Sequence, residues 1–366
     1  MAATATHARA ATPILGQDRA LGLLGRSLAS GRVHHAWVFS GPYGVGKCTT
    51  ALAFGAALLD PEARPDPAGG LPIVDPAGET ARLVAAGTHP DLHVIRKELA
   101  LDSSNAQLRG RKLSTIPVDV LREHMIGGRT GDEKYHEPKV FQSAARGRRK
   151  VFIVDEADLL DQTGQNALLK TLEEPPPGTV IVLVTDRPER LLPTIHSRAQ
   201  AVRFARLDDA AMHAWLDARA AATGDGVPAE RRDWLLEFAD GSPGTIVTAL
   251  EQELHAWPLV LEPLVRDAAS GRFPPAFGVT MGELVEQFAQ ARVKREKNAS
   301  KDAANKEGVA WLLRVLAAML RRRFRTGVDD ERTLAMVEAL RDAELSVAAN
   351  VRPKIVMEQL AVRWSA

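Results

Sequence analysis

Five apolar-to-small residues, Ala36-Trp37-Val38-Phe39-Ser40, run directly into Gly41-Pro42-Tyr43-Gly44-Val45-Gly46-Lys47-Cys48-Thr49. This junction restricts the fold more than any other stretch. It reads as a buried parallel strand, then a glycine loop, then a helix from Lys47 to Leu59. Backbone N–H groups of such a loop cradle phosphates, and Lys47 is placed to reach the outer ones. The pattern usually ends in Lys-Ser or Lys-Thr, whose hydroxyl binds Mg²⁺; here Cys48 holds that place. Magnesium prefers hard oxygen ligands, and a thiol is a poor substitute. Thr49 cannot take over, because the next helical residue is rotated by about 100°. The motif therefore leaves two readings open: a chain that uses ATP and magnesium, or one that keeps only the architecture.

Further apolar runs, Leu92–Ile95, Lys150–Val154 and Val180–Val184, alternate with segments of helical spacing. That order implies a parallel α/β sheet with helices on both faces. Ligands of such sheets bind at the carboxyl ends of strands, where Ser40, Asp155 and Thr185 fall. Asp155-Glu156 has the form of a Walker B element: Asp155 would hold Mg²⁺ through water and Glu156 would polarise the attacking water. The plainer reading is a strand followed by acidic helix-capping residues. Thr185 is a possible phosphate sensor, and Arg198, in Thr194-Ile195-His196-Ser197-Arg198, a candidate arginine finger. His34, His35 and His89 lack a cluster at metal-ligand spacing and read as structural. Gly127–Arg149, with Lys150, reads as a solvated basic loop or as a phosphate-backbone contact. Beyond Phe204 the β-branched runs stop and helices follow, with Lys294–Gly308 expected as an exposed loop or frayed helix.

The 366 residues suggest two or three domains. A net charge of +1 confines any nucleic-acid contact to a local patch. The single cysteine excludes an intrachain disulfide and a cysteine-cluster metal site. The start of the chain does not read as a signal peptide, and no apolar run approaches the ~18 residues of a membrane span. A cytoplasmic protein without membrane contact is expected.

Taken together, several segments resemble the AAA+ clamp-loader family of bacterial DNA polymerase III, in its delta-prime branch. They are Leu15-Gly16-Gln17, His35–Lys47, His89-Pro90-Asp91-Leu92, Asn166–Pro176, Arg190–Ile195 with Ser197-Arg198, and Gly241-Ser242-Pro243-Gly244. The resemblance covers roughly residues 11–250. It implies an AAA+ P-loop core (1–206), a small helical lid (207–254) and a helical oligomerising collar (255–366). It further implies delta and gamma or tau subunits as partners, with the sliding clamp and primed DNA reached through the complex. In that setting the chain would be a stator, and Arg198 would serve a neighbour's nucleotide. The candidate nucleotide contacts are Gly41, Gly44, Val45, Gly46, Lys47, Cys48, Thr49, Asp155 and Thr185, with Glu156 catalytic only in an active hydrolase. The cysteines of the family's zinc module are absent, with Pro61–Glu79 in their place, so no zinc and no metal ligand are expected. The rival reading is a motor subunit that hydrolyses its own ATP. A third is a nucleic-acid adaptor resting on the basic stretch Arg146–Lys150.

Overall fold

The computed structural model describes residues 14–110, 114–147, 149–224, 226–295, 300–325, 331–349 and 351–365. By internal contacts the chain divides into two compact units. One runs to Val227 and includes Asp240–Gly244; the other comprises Pro228–Ala239 and Thr245 onward.

The first unit is built on β1 (Ala36–Ser40), β2 (Leu92–Ile95), β5 (Lys150–Val154), β6 (Thr179–Thr185) and β7 (Gln200–Arg203). They form one sheet in the order β2-β5-β6-β1-β7, with every pairing parallel. Two residues each, β3 (Gly128–Arg129) and β4 (Tyr135–His136), make a separate antiparallel hairpin. All residues of β1, β5 and β6 are buried, which is why these strands read as unbroken apolar runs and not as alternating ones. One face packs Val38, Phe152, Val154, Ile181 and Leu183 against Leu168 and Leu172 of the helix Gln162–Glu173. That helix starts at Asp161, whose carboxylate accepts the Gly164 N–H at 2.6 Å, and it stops before three consecutive prolines. The helix Lys47–Leu59 buries Ala51, Leu52 and Phe54, with the Phe54 ring edge-on to Trp37 at 5.5 Å. The result is the P-loop NTPase-type parallel sheet expected from the strand pattern.

The second unit is helical: Ala229–Ala239, Trp257–Ala269, Phe277–Arg295, Lys301–Arg325, Glu331–Ala348 and Pro353–Ser365 are its main elements. Trp364 is fully buried and donates its indole N–H to the Met336 carbonyl at 2.8 Å. Among the described residues, no helix is long and apolar enough to cross a membrane.

Two local expectations change. Residues 301–308 are not loop but the first turns of Lys301–Arg325, because Ala304 and Gly308 supply a small, buried face; Gly308 lies close to Val285 and Phe288. Residues 296–299 lie outside the described set. Lys150 is not part of a solvated basic surface. It is buried, and its ammonium donates to the carbonyls of Lys139, Val140 and Gln142, tying down the chain that leads into β5. Arg146 pairs with Glu79 at 2.7 Å, and Arg148 lies outside the described residues.

Candidate functional site

The register Ser40↔Thr185 sets the end of β1 beside the end of β6, so the glycine loop and Thr185 share one end of the sheet. Gly41, Gly44 and Gly46 all have positive φ (152°, 71° and 99°), a backbone path that side chains resist. Six consecutive loop carbonyls are engaged. Those of Gly41 and Pro42 accept from the Lys47 ammonium at 2.8 and 2.6 Å. Tyr43 accepts from the Ser242 hydroxyl at 2.7 Å, and Gly44 from the Gly244 N–H at 2.8 Å. Val45 accepts from the Gln17 amide at 3.2 Å, while Gly46 accepts both the N–H and the hydroxyl of Thr50. The loop is thus anchored by residues about 200 positions away.

Lys47 is 4% exposed, and its ammonium also pairs with an Asp186 carboxylate oxygen at 2.7 Å. Thr185 donates its hydroxyl to Asp158 at 2.8 Å and accepts the Arg187 N–H at 2.9 Å. Asp155 follows β5, and its N–H donates to the Ile95 carbonyl at 2.9 Å. Glu156 sits in the left-handed region at φ 54° and is paired with Lys97 at 2.9 Å. Desolvation pushes the Glu156 carboxyl above the ordinary range, and Lys97 pulls it back. Cys48 is the second residue of the helix that follows the loop, the place where the motif has a hydroxyl. The loop keeps the glycine spacing and positive-φ path of a phosphate cradle, and the thiol of Cys48 does not fit the role of the Mg²⁺-binding hydroxyl. Among the described residues there is no group of three or more His, Cys, Asp or Glu that could hold a metal ion.

Arg198 lies elsewhere. It precedes β7, which runs parallel to β1 with Gln200 opposite Trp37, whereas the glycine loop follows β1. The two are therefore at opposite ends of the sheet, about 15 Å apart for strands of this length. Arg198 pairs with Glu173 at 2.8 Å and donates to the Thr194 carbonyl and the Ser197 hydroxyl at 2.9 and 3.1 Å.

His35 and His89 make backbone contacts. His35 Nε2 lies 3.0 Å from the Leu172 carbonyl, and His89 Nδ1 accepts the Asp91 N–H at 3.1 Å; desolvation lowers the pKa of both. Asp91, 1% exposed, accepts from the N–H groups of Ala145 and Arg146. Gln17 and the 242–244 segment were visible only as parts of a family signature, and their purpose appears in the structure as anchorage of the loop. Lys97 has no local signal in the sequence.

A parallel α/β sheet with a glycine loop at a strand end defines a P-loop NTPase-type protein. Residues 16–208 match the family described as DNA polymerase III, delta subunit, and the chain belongs to that family. It is 37% identical over 223 residues to the delta′ subunit of DNA polymerase III from Pseudomonas aeruginosa, covering 60% of this chain and 56% of that protein. It is 31% identical over 196 residues to the tau subunit from Escherichia coli, covering 53% of this chain and 25% of that protein. The chain thus spans about half, or less, of the length of these relatives. A DNA polymerase III gamma subunit-related protein of known structure from Thermotoga maritima aligns over 95% of this chain and 98% of its own, at 17% identity and a TM-score of 0.38. That likeness is too loose to add to the fold read from the strands themselves.

Proposed function

We propose that this chain is a stator subunit of the DNA polymerase III clamp loader. In this reading it assembles in the cytoplasm with delta and gamma or tau subunits, supports ATP-dependent loading of the sliding clamp onto primed DNA, and offers Arg198 to a neighbour's nucleotide. Residues 207–254 act as the lid and 255–366 as the collar. The observation that carries the reading is the separation of Arg198 from the chain's own glycine loop, at opposite ends of a parallel sheet. An arginine so placed cannot reach phosphates on its own loop and is available to those of another subunit.

The loop supports the same division of labour. The Lys47 ammonium is engaged within the chain by two loop carbonyls and by Asp186, and Cys48 replaces the magnesium hydroxyl. Gly41, Gly44, Val45, Gly46 and Thr49 with Lys47 keep the form of a phosphate cradle, and no hydrolytic step is assigned to Asp155, Glu156 or Thr185. The rival, an active motor, rests on the acidic pair after β5. Steady-state ATP turnover by the isolated chain, beside Cys48→Ser, separates the two. The stator reading expects background turnover from the unmodified chain; robust turnover overturns it.

A further inference from the structure

We propose that Glu173 is the positioning residue for Arg198, holding one edge of its guanidinium so that the other is presented to a neighbouring subunit's phosphate. This rests on the trans-arginine reading above and adds a residue to it.

Position 173 is an unfavourable place for a carboxylate. Glu173 is the last residue of the helix Gln162–Glu173, where unpaired carbonyls carry the negative end of the helix dipole and cations are preferred. Glu174 follows at once, so two like charges sit together at that end. A cation brought by another segment offsets this, and the structure supplies Arg198, with Nη2 2.8 Å from a Glu173 carboxylate oxygen.

The donor count shows what the contact leaves over. A guanidinium has five N–H groups. Nη1 donates to the Thr194 carbonyl and the Ser197 hydroxyl, and Nη2 forms an ion pair with Glu173. Among the described residues, the Nε–H and one Nη2–H have no partner. The side chain is 34% exposed, so it remains reachable from solvent. An arginine fixed by three acceptors from two segments has given up much of its rotamer freedom before a phosphate arrives. Two spare donors on a planar group suit a phosphoryl oxygen pair, which is the geometry arginine supplies and lysine does not. The short helix Pro193–His196 and the last turn of Gln162–Glu173 thus form one presenting surface.

The test uses the reconstituted clamp loader, with its gamma or tau subunits, and reads ATP hydrolysis at saturating and limiting ATP. Glu173→Ala is expected to lower kcat about threefold to tenfold, the range that ordering one long side chain is worth, with KM for ATP unchanged. Glu173→Asp should recover part of the rate, and Glu173→Gln, which keeps shape but not charge, should fall between. Arg198→Ala is expected to lose far more, and adding Glu173→Ala to it should cost nothing further. Thermal melting and size-exclusion of each assembly establish that the variants fold and assemble. If Arg198→Ala lowers the rate while Glu173→Ala leaves it unchanged or raises it, Glu173 does not position the arginine and this proposal is overturned alone. If Arg198→Ala itself has no effect, the trans-arginine reading falls and takes this one with it.

Discussion

The glycine loop and Arg198 belong to one α/β unit and are built in opposite ways. In the loop, six carbonyls in a row are engaged, Lys47 is nearly inaccessible, and Gly44 and Gly244 touch through their backbones. Arg198 is held by Thr194, Ser197 and Glu173 and stays partly exposed to solvent. A motif that resembles a catalytic centre also ties Gln17, Asp186 and the 242–244 segment together. The residue that looks like an ordinary surface charge keeps donors to spare. The difference teaches that motif completeness and functional availability are separate properties. The first is a matter of residue types, and the second depends on which hydrogen bonds the rest of the chain has already made.

If the loop is a joint, substitutions there should damage folding, and those at Arg198 should not. The largest effect on stability is expected from Gly44→Ala. A Cβ there would lie 2.6 Å from the Ser242 hydroxyl oxygen and 2.8 Å from the Gly244 Cα, at a φ of +71°. Strain and overpacking together are worth about 3 kcal/mol, read as a fall in denaturation midpoint. Gly31→Ala is the control: φ is +68° with nothing within 4 Å of the added carbon, so only about 1 kcal/mol is expected. Equal losses at the two positions would break the joint reading.

A second expectation concerns the sheet beneath the loop. His93 stacks on Phe152 at 4.7 Å, and desolvation, aided by Lys139 and Lys150, lowers its pKa from 6.5 to about 4. The folded state therefore favours neutral imidazole. This contribution is fully present above pH 6.5 and is lost as pH falls from there through about 4, because the unfolded chain takes up the proton first. Its size is about 2 kcal/mol after allowing for partial solvent contact. Chemical denaturation across that window should show the slope, and His93→Phe should flatten it. An unchanged slope in the variant would remove His93 as the cause.

Smaller again is Asp161→Ala, which removes the cap of the helix carrying Glu173 and should cost about 1 kcal/mol. Smallest is Arg198→Ala itself, where the change in melting should stay within about 0.5 kcal/mol, as for surface positions generally. A large loss there would mean that Arg198 supports the fold and would erase its contrast with the loop.

Much of this was legible from residues alone. The buried strands announced themselves because parallel strands covered on both faces must be apolar throughout, as in Val180–Val184. The glycines at 41, 44 and 46 marked the loop because only a path at positive φ needs them so closely spaced. What could not be read was partnership across long separations. Nothing near Ser242 says that its hydroxyl will meet Tyr43, and nothing near Lys97 points to Glu156. Local pattern encodes periodicity and turn chemistry, whereas these contacts depend on how the topology folds distant segments together. Lys150 shows the same limit in reverse. A lysine beside arginines reads as surface charge, yet the topology placed it under three carbonyls.

The most direct test of the division between loop and arginine is ATP hydrolysis by the assembled clamp loader containing Arg198→Ala in this chain alone. The expected result is a loss on the order of 10³-fold in rate with assembly intact, the range for removal of an arginine finger. An assembled complex that hydrolyses ATP at the unmodified rate would contradict it.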